Sequence, residues 1–223
     1  MPRGPHAPAL HVVWDWNGTL FDDFSLTARI AARTLETMGV PGVSGDDIRA
    51  HFRRPFGDFY ARLFGRPVSA AEFSYIRERY EVEYDAEVFE LSLRPDALTS
   101  LALVADQGAS QSLLSMAHDQ QVQALVDHHG IRDRFVRIEG SPTSDSDGNK
   151  ARRLARHLEA IGVDPASATI IGDTVDDHEA ALACGAGSVL VTTGSTSRAS
   201  LETTGVPVVD TLLDAAGIAT AGS

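Results

Sequence analysis

Short runs of valine, isoleucine and leucine recur along the chain and predict buried β-strands. Most of these runs are continuous and do not alternate with polar residues, which is typical of strands covered on both faces of a sheet. Five runs are clear and a sixth is weaker. The predicted strands are residues 10–15, 109–115, 135–138, 168–172 and 187–192, with the weaker one at 206–209.

Helical patterns fill most of the intervals between the later strands. Arg94-Pro95-Asp96 introduces the first of these helices and Gly162 ends the third, as the positional preferences of proline and glycine favour. Strands and helices that alternate in this way predict an α/β fold built on a doubly wound parallel sheet. The predicted helices are residues 96–106, 119–129, 149–161 and 176–184.

Residues 25–92 interrupt the alternation, because they carry amphipathic patterns but no convincing buried strand. We therefore expect a helical cap domain at 25–92, inserted into an α/β core domain formed by residues 1–24 and 93–223. Tyrosine, phenylalanine, arginine and glutamate are concentrated in this insertion. Two interpretations fit that composition: a small helical core with a solvated face, or a lid that presents Arg53 or Arg54 to a substrate.

Composition narrows the functional classes. A chain of 223 residues with 43% hydrophobic content can bury a full core, and a net charge of -12 argues against a nucleic-acid partner. No apolar stretch is long enough to span a bilayer, so we expect no membrane partner and a cytoplasmic location. The single cysteine, Cys184, cannot form an internal disulfide and fits a packed helix end. The Pro-rich start and the Ala/Gly/Thr-rich end are predicted to fray.

The first predicted strand ends in a carboxylate followed by a tight, small-residue turn. Asp15 lies at the carboxyl end of the strand, where open parallel sheets bind ligands, and Gly18 lies just beyond it. A carboxylate at this place can coordinate a hard cation or attack phosphorus, and the glycine lets backbone N–H groups approach an anion. A strand-ending turn with an Asx hydrogen bond explains the same residues without any chemistry.

Three later segments place polar groups at corresponding positions. Ser115 ends the second strand and can donate to a phosphoryl oxygen or act as an ordinary helix cap. Lys150 is the only lysine and opens a helix, where its charge opposes the helix dipole and requires an anion unless solvent screens it. Asp173, Asp176 and Asp177 follow the fourth strand, and either Mg²⁺ or exposure at a helix start relieves their mutual repulsion.

In this order the four segments resemble the signature motifs of the haloacid dehalogenase (HAD) superfamily: Asp-x-Asp-Gly-Thr, a strand-end Ser or Thr, a Lys, and Gly-Asp-x-x-x-Asp. The stretches 94–97 and 189–194 are similar to its phosphoglycolate phosphatase-like branch. The resemblance implies a Rossmann-like core with a helical cap at 25–92. It also implies a Mg²⁺-dependent phosphatase that hydrolyses a small phosphorylated metabolite through an aspartyl-phosphate.

The resemblance further implies a role for each motif residue. Asp15 would be the nucleophile and a magnesium ligand, together with the backbone carbonyl of Asn17 and the carboxylate of Asp173. Asp177 would support the metal. The residues expected to bind the phosphorylated substrate are Gly18, Thr19, Ser115, Lys150, Arg53 and Arg54.

Asn17 departs from the family pattern. Phosphatases of the family carry an aspartate there, which protonates the leaving oxygen and then activates water. An amide keeps the hydrogen-bond geometry but cannot exchange a proton at neutral pH, and positioned acid–base catalysis is worth roughly 10²–10⁴-fold. We therefore expect slow turnover, or a preference for good leaving groups such as those of acyl phosphates.

Other interpretations of Asn17 stay open. His118 can supply an acid or base, deamidation at Asn17-Gly18 can restore an aspartate, or the asparagine can be an engineered replacement. The chain can also be a catalytically weak phosphate-binding or regulatory protein. The dehalogenase branch fits less well because it does not need the metal site, and the phosphonate-cleaving branch needs a cap lysine that this chain lacks.

Overall fold

A computed structural model describes residues 10–142 and 150–221. Within these ranges six strands form one sheet in the order β3-β2-β1-β4-β5-β6, and all neighbouring strands pair in parallel. This arrangement confirms the predicted doubly wound α/β fold. The strands are β1 His11–Trp14, β2 Ser110–His118, β3 Ile138–Ser141, β4 Ala168–Gly172, β5 Gly187–Val191 and β6 Val208–Val209.

Helices cover the sheet and form the insertion after β1. Nowhere in the described part of the chain is a helix both long and apolar enough to cross a bilayer. The helices are α1 Phe24–Thr37, α2 Gly45–His51, α3 Phe56–Phe64, α4 Ala70–Glu87, α5 Ala97–Asp106, α6 Asp119–His128, α7 Lys150–Ile161, α8 Val175–Cys184, α9 Arg198–Glu202 and α10 Leu212–Ala221.

Both faces of the sheet are buried, as the continuous apolar runs predicted. Alternate residues of a strand point to opposite faces, so Val12 packs in a cluster with Leu101 of α5, whereas Val13 packs with Leu154 of α7 and Ala180 of α8. Two separate clusters therefore lie above and below one sheet. Their packing fixes the carboxyl ends of β1, β2 and β4 side by side.

Three predictions about elements were wrong. The second strand does not end at Ser115 but continues to His118, with an irregularity in its pairing after Leu114. The third strand is Ile138–Ser141 and not 135–138. Its preceding residues do reach β2, since Val136 N donates to Gln111 O and Arg137 O accepts from Leu113 N, both at 2.9 Å, so the apolar run marks the entry to the strand. The Ala/Gly/Thr-rich end does not fray up to residue 221 but forms α10, which is buried through alanines against α5 and β5. The Pro-rich start at residues 1–9 lies outside the described residues.

The insertion contains helices α1 to α4 with a hydrophobic cluster of their own. Leu35, Ile48 and Ile76 are almost completely buried in it, and Phe59 packs beside them. A second group of cap residues, including Tyr84 and Val88, packs instead on the core cluster. The helical nature of the cap is thus confirmed, while the exact division into domains at residues 24 and 93 stays a prediction.

Candidate active site

The carboxyl ends of three adjacent strands place the central polar residues. Asp15 follows β1, which lies between β2 with Ser115 and β4, which is followed by Asp173. The backbone N–H of Asp15 still donates to Ile171 O at 2.9 Å, so the parallel ladder holds this residue in register with β4. The predicted convergence of strand-end residues is therefore seen in the geometry, although their roles remain predictions.

Lys150 is buried against two carboxylates. Its Nζ donates to Asp15 Oδ1 at 2.5 Å and forms an ion pair with Asp177, and its side chain is only 9% exposed. Burial alone would lower the pKa of Lys150, but the charges of Asp15 and Asp177 raise it above its ordinary value. The lysine therefore carries a permanent positive charge at the first turn of α7, where the sequence required an anion.

Three buried carboxylates form a compact acidic group. Oxygens of Asp15, Asp173 and Asp177 all lie within 4.8 Å of one another, and each residue is at most 7% exposed. Burial raises the pKa of Asp15 to about 6 despite the opposing effect of Lys150. Burial also raises the pKa of Asp173 well above its ordinary value, and the charge of Asp15 adds to this.

This group fits a hard divalent cation. One lysine cannot neutralise three ionised carboxylates, and buried like charges are strongly unfavourable without a counter-ion. Carboxylate oxygens are the ligands that Mg²⁺ prefers. The chemistry of the donor set therefore agrees with the magnesium that the sequence predicted.

Two glycines allow the turns to pack around Asp173. Gly18 has a φ of +70°, and a Cβ added to it would lie 2.7 Å from Asp173 Oδ2, so a side chain at this position is excluded twice. Gly194 closes on the same carboxylate from the loop after β5. The backbone N–H of Ser195 then donates to Asp173 Oδ2 at 2.6 Å, while Thr19 Oγ1 lies 3.4 Å from Asp15 Oδ2.

Asn17 is held by a buried polar group that sequence reasoning missed. Its Nδ2 donates to Asp23 Oδ2 at 2.7 Å and to the Tyr84 hydroxyl at 3.0 Å, and Tyr84 itself donates to Asp23 at 2.7 Å. Asp23 also accepts from the backbone N–H of Gly18 at 2.8 Å. Because a carboxylate only accepts hydrogen bonds, the amide nitrogen must face Asp23. The amide oxygen is left towards Ser115, whose Oγ lies 3.4 Å away.

A cavity of about 580 Å³ opens above these residues and beneath the cap. Its floor contains Asp15, Asn17, Ser115 and Lys150, and its cap wall is predominantly aromatic. Arg54 reaches the cavity and pairs with Asp176 Oδ2 at 3.3 Å, whereas Arg53 is exposed and is not among the described lining residues. The aromatic lining residues are Phe52, Phe56, Phe59, Tyr60, Phe73, Tyr80 and Tyr84.

The residues that sequence reasoning missed differ in the signal they gave. Asp23 stands eight residues after Asp15 in an Asp-Asp pair, and an acid so close to the motif was a usable signal, although only the structure shows that it is buried. Tyr84 gave none, because α4 brings it to Asn17 from far along the chain. Ser195 directly follows the stretch 189–194, but it contributes a backbone N–H, which nearly any residue type provides. His118 is exposed at the cavity edge.

Comparison with known proteins agrees with the fold and with the motif pattern. The family model described as haloacid dehalogenase-like hydrolase matches residues 12–182, and a second, HAD hydrolase-like model matches residues 150–215. A haloacid dehalogenase-like family protein from Streptococcus pneumoniae superposes with a TM-score of 0.78 at 23% identity, covering 94% of this chain and 98% of that one.

Two curated relatives align over most of the chain. A phosphoglycolate phosphatase from Chromobacterium violaceum is 24% identical over 85% of this chain and 88% of its own length. The tyrosine-protein kinase PtkA of Mycobacterium tuberculosis is 26% identical over 93% of this chain and 72% of its own length. Because the first family model spans far more than half of the sequence, from β1 into α8, the chain belongs to the haloacid dehalogenase-like hydrolase family.

Proposed function

We propose that the chain is a Mg²⁺-dependent phosphatase that hydrolyses a small phosphorylated metabolite through an aspartyl-phosphate on Asp15. The observation that carries this proposal is the contact of Asp15 with buried Lys150 beside two further buried carboxylates, at the floor of a cavity beneath the cap. The phosphoglycolate phosphatase relatives indicate a phosphoric monoester hydrolase, as the sequence predicted.

The residues of the chain suit an in-line attack on phosphorus. Asp15 Oδ attacks the phosphoryl group, the bond from phosphorus to the leaving oxygen breaks, and water later hydrolyses the acyl phosphate to regenerate the carboxylate. Lys150 neutralises the charge that the phosphoryl oxygens bring to Asp15, and the hydroxyl of Ser115 donates to one of them. The cap covers the floor of the cavity and so limits the access of bulk water to Asp15.

Asp15, Asp173, the backbone carbonyl of Asn17 and, in support, Asp177 would hold the Mg²⁺. When bound, such an ion supplies charge stabilisation for the phosphoryl oxygens. A bound cation would therefore explain why three buried carboxylates lie together, whereas Lys150 alone cannot neutralise all three.

Replacement of the nucleophile tests the proposal. Asp15→Asn should lower the Mg²⁺-dependent hydrolysis of acetyl phosphate and of p-nitrophenyl phosphate by roughly a thousandfold or more, because the covalent step is lost. Both probes have good leaving groups, so the amide at Asn17 does not limit them. The matched control is Asp22→Asn, since Asp22 pairs with Arg94 at 2.9 Å and does not line the cavity.

The rival function is that of a weak phosphate-binding or regulatory protein. Acetyl phosphate and p-nitrophenyl phosphate separate the two functions. A binding protein would bind inorganic phosphate in an equilibrium measurement but would hydrolyse neither compound. Equal residual hydrolysis by Asp15→Asn and Asp22→Asn would reject the proposed mechanism.

A further inference from the structure

The cap wall of the cavity is built for an apolar group. Phe56 and Phe52 pack edge to face with 6.0 Å between ring centroids, and both rings line the cavity together with Ile48 and Ile76. A volume of about 580 Å³ is far more than a phosphoryl group with a two-carbon acid requires, and lies in the range of sites for larger ligands. Apolar walls of this kind gain free energy by burying apolar surface of the ligand.

The charges on the cap wall do not suit a substrate whose leaving group carries a carboxylate. Among the described lining residues above the floor, Arg54 pairs with Asp176 at 3.3 Å and Arg77 lies 3.9 Å from Glu81. Asp85 adds a further negative charge to the same wall. A carboxylate in this space would meet cations that already have acidic partners, and a neutral group avoids that cost.

Asn17 restricts the leaving group independently. Its amide nitrogen is taken up by Asp23 and Tyr84, so the oxygen that faces Ser115 can only accept a hydrogen bond. No proton is available from this side chain for the departing oxygen. A leaving oxygen that receives no proton departs as an anion, and a phenol does so far more readily than an alkyl alcohol because its pKa is about 10, as for tyrosine.

We propose that the substrate class of this site is the aryl phosphate, a phosphate monoester of a neutral aromatic alcohol. The inference rests on the proposed function and adds the substrate class to it. Asp15 attacks phosphorus, and the bond from phosphorus to the phenolic oxygen breaks. The phenolate leaves with the electron pair and takes its proton from solvent. Water then hydrolyses the aspartyl-phosphate, and inorganic phosphate is released.

Three matched esters and acetyl phosphate test the proposal with the full chain and Mg²⁺. Phenyl phosphate and cyclohexyl phosphate have similar size and polarity, so their ratio measures leaving-group dependence. Cyclohexyl phosphate and phosphoglycolate both lack an aromatic leaving group, so their ratio measures the preference for an apolar group. We expect kcat/KM to fall from phenyl phosphate to both others by at least about tenfold, with cyclohexyl phosphate having a lower KM than phosphoglycolate.

Cap variants show whether the aromatic wall causes the preference. Phe56→Ala should raise KM for phenyl phosphate by about tenfold and KM for acetyl phosphate much less, because acetyl phosphate has no aromatic group that packs on the wall and loses only the ring that lies 4.6 Å from the Arg54 guanidinium. Phe64→Ala is the matched control, because Phe64 ends the same helix, is also half-buried and does not line the cavity. Phe52→Ala repeats the test if Phe56→Ala folds poorly, as circular dichroism will show.

Acetyl phosphate distinguishes a failure of the proposed substrate class from a failure of the proposed phosphatase function. Asp15-dependent turnover of acetyl phosphate with phosphoglycolate preferred over phenyl phosphate would overturn the substrate class and leave the phosphatase intact. Absence of Asp15-dependent turnover for every probe would overturn the proposed function itself. Equal KM changes in Phe56→Ala and Phe64→Ala would also reject the aromatic wall as the cause.

Discussion

Asn17 and Asp23 form a matched pair of side chains. The carboxylate of Asp23 is 3% exposed and accepts from the amide of Asn17, from the Tyr84 hydroxyl and from the backbone of Gly18. An aspartate at position 17 would bring a second carboxylate to 2.7 Å from the first, in a place where burial already raises the pKa of Asp23. The surroundings therefore fit an asparagine at position 17, and an aspartate there would be repelled by the carboxylate of Asp23.

The consequence is a testable non-additivity. Asn17→Asp alone should lower the free energy of unfolding at pH 8 by about 1–3 kcal/mol, since it removes the hydrogen bonds that the amide nitrogen donates to Asp23 and Tyr84 and adds a buried repulsion. Asn17→Asp combined with Asp23→Asn should recover that loss and should raise the turnover of cyclohexyl phosphate above that of the native chain.

A double-mutant cycle in urea, with Asp23→Asn as the fourth member, measures the coupling. Cyclohexyl phosphate is the informative ester here, because its poor leaving group needs a proton and phenyl phosphate does not. A single Asn17→Asp variant that is as stable as the native chain, and faster on cyclohexyl phosphate, would show that Asp23 does not constrain position 17.

The sequence predicted the site residues that lie at or near the carboxyl ends of strands, but it did not predict the residues that other elements bring to the site. Asp15, Ser115 and Asp173 were predictable because the carboxyl ends of neighbouring parallel strands converge. Lys150 was predictable from its unfavourable place at a helix start. The contact of Tyr84 with Asn17 depends on how α4 returns over the core, and no local pattern encodes that return.

Among the elements, β1, β2 and α7 share a buried polar seam in an otherwise apolar sheet. His11 of β1 lies with Nδ1 2.7 Å from Ser110 Oγ and with Nε2 2.8 Å from Ser112 Oγ. His157 of α7 reaches the same Ser112 hydroxyl with Nε2 at 2.8 Å. Burial lowers the pKa of His11 to about 4, and the neighbouring His157 adds to this effect. Neutral histidines therefore join three elements of the core.

This seam predicts a loss of stability in mild acid. The pKa of His11 in the folded chain, about 4, lies below its ordinary value of 6.5, so the unfolded chain binds the proton more readily between these values. The contribution is present above pH 6.5 and falls as the pH drops towards 4, reaching a loss of about 2 kcal/mol near pH 5. Urea unfolding at pH 8, 7, 6 and 5 measures it.

His11→Asn should flatten this pH dependence whatever its effect on absolute stability. His128→Asn is the control, because His128 is exposed at the end of α6. Identical slopes for the two variants and the native chain between pH 7 and 5 would show that His11 does not carry the effect.

Element prediction succeeded where hydrophobic patterning and packing agree. The strands β1, β4 and β5 were placed within a residue or two because apolar runs buried on both faces leave little freedom. The third strand was misplaced because it lies at the sheet edge, where Val136 remains 62% exposed and an apolar residue no longer marks the paired segment. Helix α10 was missed because its buried face consists mainly of alanine, which fits close packing as well as a loose tail.

In the molecule as a whole, one loop contacts both the cap and the acidic group of Asp15, Asp173 and Asp177. Helix α2 of the cap docks on the loop after β5, where Arg49 Nε donates to Gly194 O at 2.9 Å and Ser197 N donates to Arg49 O at 3.1 Å. The same loop supplies the N–H of Ser195 to Asp173. The loop after β5 therefore connects the position of the cap to the acidic group. The order of the motifs along the sequence does not predict this connection.

Magnesium should therefore stabilise the whole fold, in proportion to how well the three carboxylates bind it. A ligand at a hundred times its Kd adds about 2.7 kcal/mol to the free energy of unfolding, which for a chain of this size corresponds to roughly 5–10 °C in Tm. We expect such a rise for the native chain with Mg²⁺ and little or none for Asp173→Asn. In EDTA the order should reverse, because Asp173→Asn removes one of three buried negative charges and relieves their repulsion. Asp22→Asn should follow the native chain in both conditions, since Asp22 lies outside the acidic group. An equal Mg²⁺ shift in all three proteins would place the cation elsewhere on this acidic surface and remove the metal from the proposed mechanism.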